Sequence, residues 1–187
     1  GTPAHLEILL EELKYDKEWY LPGKFVIGGQ QLMYDTVKRF FEVAGDKRLV
    51  VNNVYGPTEC CDVSSSFEIT KETINDYPEY AFGPMPVGRP LNNVSIYIAD
   101  SNLMPVPAGV EGELCIAGEG LARGYIGRED LTKEKFLLSG FDKNLRVYKT
   151  GDIGRFLESG DILLTGRSDG QIKLRGYRIE LDEIENC

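Results

Sequence analysis

The hydrophobic residues of this sequence change their period partway along the chain, and that change limits the folds open to it. Leu6, Leu9, Leu10 and Leu13 fall at helical spacing, a single apolar stripe. Thr2 is placed to cap that helix and Pro3 suits its first position. A loop with Pro22 and Gly23 follows, then a short apolar strand from Lys24 to Ile27 that ends in Gly28-Gly29. A second helix is predicted from Gln31 to Ala44, with Met33, Val37, Phe40, Phe41 and Ala44 turned inward. Arg48 to Val54 reads as the next strand. A β-α-β order of this kind implies a parallel sheet covered on both faces.

Beyond Pro84 the texture is different. Pro84, Pro86, Gly88 and Pro90 punctuate the chain, and the following apolar runs are short. Val94, Ile96 and Ile98 alternate, the pattern of a half-buried strand. Glu113–Ala117, Arg146–Lys149, Gly154–Leu157 and Asp161–Leu164 read as further strands, with a tight hairpin at Ser159-Gly160. Short strands with little helix predict a small, strongly curved sheet or barrel. After Gly166 the pattern changes again. Gln171–Arg175 alternates like a strand, Gly176 is a turn, and Ile179–Cys187 has helical features, with Leu181, Ile184 and Cys187 on one face. A chain that stops as an amphipathic helix begins is expected to be part of a longer one. The fold class is therefore mixed α/β, with divisions near residues 88 and 166.

Composition narrows the function classes. The 187 residues carry 21 Lys and Arg against 30 Asp and Glu, a formal charge of -9. Neutralising phosphates along a nucleic acid needs a basic face, so a general nucleic-acid binder is not expected. No apolar run approaches a membrane span, and the acidic start lacks a signal peptide's basic region. The single histidine, His5, excludes histidine triads and multi-histidine metal sites from this sequence. Cys60, Cys61, Cys115 and Cys187 have no C-x-x-C spacing and read as reduced thiols of a cytoplasmic protein.

Four segments carry chemistry. Asn53-Val-Tyr-Gly-Pro-Thr-Glu59 follows an apolar strand, where open α/β sheets present ligand loops. Its bend gathers an aromatic ring at Tyr55, a hydroxyl at Thr58 and a carboxylate at Glu59. That set suits a nucleotide base, a phosphate and Mg²⁺ respectively. Taken alone, such a string is more often a Gly-Pro turn with a surface glutamate. Tyr148-Lys-Thr-Gly-Asp152 places an aspartate after a glycine, where it can accept both hydroxyls of a ribose, or simply form an Asx turn. Gly118-Glu-Gly-Leu-Ala-Arg-Gly124 has the wrong spacing for a dinucleotide loop and reads as a structural hairpin. In the segment Gly166 to Glu180, Arg167 is a candidate phosphate or ribose contact, and Lys173, Arg175 and Arg178 flank the turn at Gly176. The alternative there is a charged surface hairpin.

In order and spacing, these segments resemble the adenylation domains of nonribosomal peptide synthetases, within the adenylate-forming superfamily. Gly28-Gly29-Gln30, the run Gly112 to Tyr125 and Leu131-Thr-Lys-Glu-Lys-Phe136 complete the series, which spans nearly the whole chain. The resemblance implies an ATP-dependent ligase. A carboxylate attacks the α-phosphate of Mg·ATP, pyrophosphate leaves, and a carrier-protein phosphopantetheine thiol takes the acyl group. It implies later α/β core over 1–88, a β-barrel over 89–166, and a hinge with the start of a mobile subdomain over 167–187. It places Asn53 at the adenine edge, Tyr55 against adenine, Asp152 on the ribose and Arg167 on ribose or phosphate. Thr58, Glu59 and Lys173 become the catalytic set, with Glu59 on Mg²⁺. Val26, Gly28, Val54, Asp62 and Val63 become walls of the substrate pocket, although Asp62 equally suits a cap on the next element. Asp169 becomes the hinge, and Lys173 and Gly176 approach the pantetheine tunnel. Partners implied are an amino acid or related acid, a carrier domain and a neighbouring condensation domain. The family's phosphate loop, its aspartate for the substrate amino group and its later lysine have no counterpart in this sequence, so the chain alone is expected to be inactive. Gln30, where the family often has Glu, and Leu164, often aromatic, depart from the pattern. An acyl- or aryl-CoA ligase and a non-catalytic domain of a megasynthase are the competing expectations.

Overall fold

A computed structural model describes residues 1–15, 21, 23–45, 48–76, 83–169, 171–174 and 177–180. In chain order the elements are α1 (Pro3–Tyr15), β1 (Lys24–Ile27), α2 (Tyr34–Ala44), β2 (Val50–Tyr55), a 3-10 turn (Thr58–Cys60), β3 (Ser65–Ile69) and α3 (Lys71–Asp76). There follow β4 (Arg89–Pro90), β5 (Val94–Ala99), β6 (Gly112–Gly118), α4 (Glu129–Lys135), β7 (Phe136–Leu138), β8 (Arg146–Phe156), β9 (Ile162–Arg167), β10 (Gln171–Leu174) and β11 (Tyr177–Glu180). The chain forms two compact units. One comprises Gly1–Val54, Phe67–Pro86 and Gln171–Cys187, the other Tyr55–Ser66 and Val87–Gly170.

In the first unit β1 and β2 pair in parallel, from Lys24 opposite Val50 to Ile27 opposite Asn53. The expected crossover is present, with α2 between them. Val37, Phe40 and Phe41 are buried on α2, and Phe40 meets Phe25 of β1 edge-on with ring centroids 5.1 Å apart. Leu6, Leu10 and Leu13 bury the stripe of α1. Between α1 and α2, Glu7 Oε1 accepts from Thr36 Oγ1 at 2.6 Å and from Arg39 Nη2 at 2.7 Å. Two expectations are corrected here. The second helix starts at Tyr34, because Met33 is extended and bridges Pro84, and its side chain is exposed. Leu32 takes the buried place instead. Thr2 does sit ahead of α1, and its carbonyl accepts from the His5 and Leu6 amides. Its hydroxyl, however, meets His5 Nδ1 at 2.8 Å rather than a helix amide.

The second unit is built on a five-stranded antiparallel sheet, β5-β6-β8-β7 with β9 also on β8. Register shifts between Glu113 and Cys115 and between Ile153 and Gly154 bend it into a half-barrel. Its concave core gathers Tyr55, Ile96, Ile98, Leu114, Ile116, Phe136, Tyr148 and Ile162. The sequence suggested two strands where β8 runs unbroken from Arg146 to Phe156. Gly151 keeps it continuous with a left-handed φ of 77°. Asp152 therefore lies inside a strand rather than after a turn. The stretch from Gly118 to Gly124 is also not a hairpin, since β6 leaves it for α4. Ser159-Gly160 does turn tightly, with Gly160 N donating to Leu157 O at 2.9 Å. Near the chain's end, Ile179 and Glu180 pair in β11 with Ile172 and Gln171, so their helical reading is corrected. Residues 181–187 lie outside the described residues. The overall class, mixed α/β with a bent β unit, is the one expected.

Candidate active site

The second unit holds a buried polar assembly around Asp152. Tyr55, at the end of β2, donates its hydroxyl to Asp152 Oδ2 at 2.6 Å, although 97 residues separate them. Arg167, at the end of β9, donates from Nη1 to Asp152 Oδ1 at 2.7 Å. The β8–β9 ladder sets this contact, because Asp152 and Arg167 are register partners. The rest of the guanidinium grips Asp169, with Nε to Oδ1 at 2.7 Å and Nη2 to Oδ2 at 2.8 Å. Nη2 also reaches Thr150 O at 3.2 Å. Such a bidentate fork fixes orientation as well as charge.

The electrostatics follow from this packing. Burial, and then the Asp152 charge, push the Tyr55 hydroxyl well above its ordinary pKa, so it stays a donor at neutral pH. Burial works against the Arg167 charge, but the Asp169 hydrogen bonds and the two carboxylate charges outweigh it and raise its pKa. Cys60, behind the Glu59 turn, is pushed to about 12 by burial and then by the Glu59 charge.

Glu59 forms a second polar centre of the same unit. It is 7% exposed, on the 3-10 turn after Pro57. Its Oε1 accepts from the Tyr125 hydroxyl at 2.6 Å, and that hydroxyl is 3.3 Å from Tyr148 Oη. A carboxylate is the ligand class Mg²⁺ takes. The donor on Oε1 is a neutral hydroxyl that orients the carboxylate, and a buried, oriented carboxylate fits a metal-holding role. Thr58, Asp62 and Val63 belong to the same turn. Thr58 and Asp62 are exposed, and Asp62 has a left-handed φ of 72°.

The first unit holds Val26, Gly28, Asn53 and Val54. Asn53 is 2% exposed and donates from Nδ2 to Pro86 O at 2.8 Å. Gly28 lies against Val54, where a Cβ on the glycine would stand 2.7 Å from Val54 Cγ2. Val26 is 51% exposed on β1. Lys173 stands opposite Arg178 in the β10–β11 ladder. Gly176 lies outside the described residues. Sequence reasoning missed Tyr125 as a partner of the Glu59 carboxylate and Tyr148 as the neighbour of the Tyr125 hydroxyl. The only local signal was that both sit at the edges of motif segments.

Residues 1–126 match the family model described as AMP-binding enzyme. Over 184 residues the chain is 45% identical to bacitracin synthase 1 of Bacillus licheniformis, covering 98% of this chain and 3% of that protein. Among solved structures it is similar to holo-PA1221, described as an NRPS protein containing adenylation and PCP domains bound to a vinylsulfonamide inhibitor. There the TM-score is 0.84 at 28% identity, covering 99% of this chain and 31% of the other. A fused adenylation-PCP di-domain NRPS from Klebsiella oxytoca gives a TM-score of 0.78 at 30% identity, covering 98% and 32%. The chain belongs to the AMP-binding enzyme family, in the branch of nonribosomal peptide synthetase adenylation domains.

Proposed function

We propose that this chain contributes the nucleotide and metal contacts of an enzyme that activates an amino acid, or a related carboxylic acid, as its adenylate. The substrate carboxylate oxygen attacks the α-phosphorus of Mg·ATP. The bond from that phosphorus to the β-phosphate bridge breaks, and pyrophosphate leaves. A carrier-domain phosphopantetheine thiol then attacks the acyl carbon, a thioester forms, and AMP leaves. No covalent enzyme intermediate is needed, so the protein works by positioning and charge stabilisation.

One observation carries this reading. Asp152 is a buried carboxylate with one oxygen on a tyrosine hydroxyl and the other on an arginine, fixed inside a strand. A carboxylate prepared in this way can exchange donors for the two hydroxyls of a ribose. Tyr55 then stands against adenine with Asn53 at the adenine edge, Thr58 contacts the α-phosphate, and Arg167 lies on the ribose or phosphate side. Glu59 receives the Mg²⁺ that arrives with ATP, where the metal's chemistry is to neutralise phosphate charge. Asp169 serves as the hinge, and 167–187 as the hinge with the start of a mobile subdomain. The α/β core extends over 1–88 and the barrel over 89–166. Lys173 and Gly176 approach the pantetheine arm, and Val26, Gly28, Val54, Asp62 and Val63 line the acid's pocket. A carrier domain and a condensation domain are the neighbours, and the cytoplasm is the compartment. Among the described residues no helix is long and apolar enough to cross a membrane.

ATP–pyrophosphate exchange on the full-length protein, with a panel of amino, hydroxy, keto and aryl acids, tests the reading. Strong exchange with one acid is the expected result, and none is expected from the 187 residues alone. Absence of exchange from a folded, ATP-binding full-length protein, across a panel that includes all standard amino acids, would sink the proposal.

A further inference from the structure

We propose that Tyr125 is a positioning residue for Glu59, and that the glycine-rich segment before it is a clasp that presents this carboxylate to the metal of Mg·ATP. The inference rests on the Glu59 reading above and deepens it.

The clasp holds the Glu59 turn at two points. Ala122 N donates to the Glu59 carbonyl at 2.8 Å, and the Tyr125 hydroxyl donates to Glu59 Oε1 at 2.6 Å. The first bond fixes where the backbone lies and the second fixes where the side chain ends. Free glutamate has several rotatable bonds, and a metal contact must otherwise order them all. Here the ordering precedes the ligand.

Tyr125 is itself held from three sides. Its backbone N–H donates to Thr132 Oγ1 at 2.9 Å, and the Thr132 hydroxyl donates to Arg128 O at 2.9 Å. Its ring lies edge-on to Phe136 with centroids 5.7 Å apart. Its hydroxyl is 3.3 Å from that of Tyr148, which is 1% exposed. So α4, β7 and β8 all locate one phenol, and that phenol locates one carboxylate. The chemistry of the donor matters too. Asp152 meets a guanidinium at 2.7 Å, which shares its charge. A phenol orients Glu59 Oε1 through a directional hydrogen bond and brings no positive charge of its own. This gives the run from Gly118 to Tyr125 a task that its glycine spacing alone did not disclose.

The test is calorimetric binding to the full-length protein of AMP without metal, and of ATP with Mg²⁺ and with a chelator. Glu59→Gln and Tyr125→Phe are compared with the parent. The expected result for Tyr125→Phe is an unchanged AMP affinity and an Mg²⁺-dependent gain in ATP affinity about tenfold smaller, the size of one hydrogen bond to a charged group. If Glu59→Gln removes the gain but Tyr125→Phe leaves it intact, or weakens AMP and Mg·ATP equally, the clasp is refuted and the Glu59 reading stands. If Glu59→Gln leaves the gain intact, the Glu59 reading itself fails and the clasp falls with it. Should Tyr125→Phe fail to fold, Thr132→Val, which releases the Tyr125 backbone, carries the same comparison.

Discussion

Gly151→Ala is the substitution whose effect the structure specifies most fully. Gly151 has a φ of 77°, a region that an alanine enters at a cost of about 1–2 kcal/mol. A Cβ there would stand 2.3 Å from Asp169 Oδ2 and 2.7 Å from Arg167 Nη2. Both atoms end flexible side chains, so they move aside rather than block the methyl group. Moving them breaks one arm of the Arg167–Asp169 fork. A hydrogen bond between charged groups contributes about 1.5–3 kcal/mol when sheltered. With side-chain exposures of 17% and 31%, the lower end applies. The total is on the order of 3 kcal/mol. Native-state hydrogen exchange of the β8 and β9 amides in the full-length protein reads the local opening energy. In an Asp169→Ala background the same substitution should cost only the backbone part, about 1–2 kcal/mol. Equal costs in the two backgrounds would refute the contact argument. No cost in either would refute the conformational one.

Other substitutions probe other links. Asp152→Asn keeps the shape and removes the charge, so the apparent ATP affinity of the full-length enzyme should fall at least about tenfold, and an unchanged value would sink the ribose assignment. Phe40→Ala should destabilise the first unit by about 3–5 kcal/mol, since the ring is fully buried against Phe25 and Phe41, and exchange of the α2 amides measures it. Cys60 and Cys115 are both held at about 12 against an ordinary 9.0, chiefly by burial and next by the charges of Glu59 and Glu113. Their folded pKa values are raised, so the stability they contribute is complete below pH 9 and is lost as pH rises toward 12. A denaturation series over that window should flatten when both are replaced by alanine. In a Cys187→Ser background at pH 8, alkylation should reach exposed Cys61 well before either of them, a result peptide mapping would contradict if Cys60 reacted first.

Where the sequence could be read, a local period was the reason. The stripe of α1, the crossover between β1 and β2, and the alternation of β5 are all set by neighbours within one or two turns. The misreadings have a common cause. Thr150-Gly151-Asp152 looks like a turn because glycine and aspartate usually make one, yet the strand passes through it as an irregularity: the β6 ladder shifts register between Lys149 and Ile153, and the β9 ladder takes up Asp152. Met33 looks like a helix face residue until its bridge to Pro84 extends it. The candidate site residues are a different matter. Motif resemblance supplies Tyr55, Glu59, Asp152, Arg167 and Asp169, but no local rule supplies their partners. Tyr55 and Asp152 are 97 residues apart, and Glu59 and Tyr125 are 66 apart.

Those partners change what a binding measurement means. Asp152 already has a hydroxyl on one oxygen and a guanidinium on the other, and that same guanidinium holds Asp169. A ribose that takes Asp152 exchanges bonds rather than adding them to an empty carboxylate, so its net contribution is the difference between two satisfied states. The same exchange alters the load on Arg167, which is shared by the carboxylate assigned to the ribose and the one assigned to the hinge. Removing Asp152 therefore does more than remove a ligand contact. Without it Arg167 is held by Asp169 and Thr150 O, and any change at Asp169 that appears with nucleotide should also appear, without nucleotide, in Asp152→Ala.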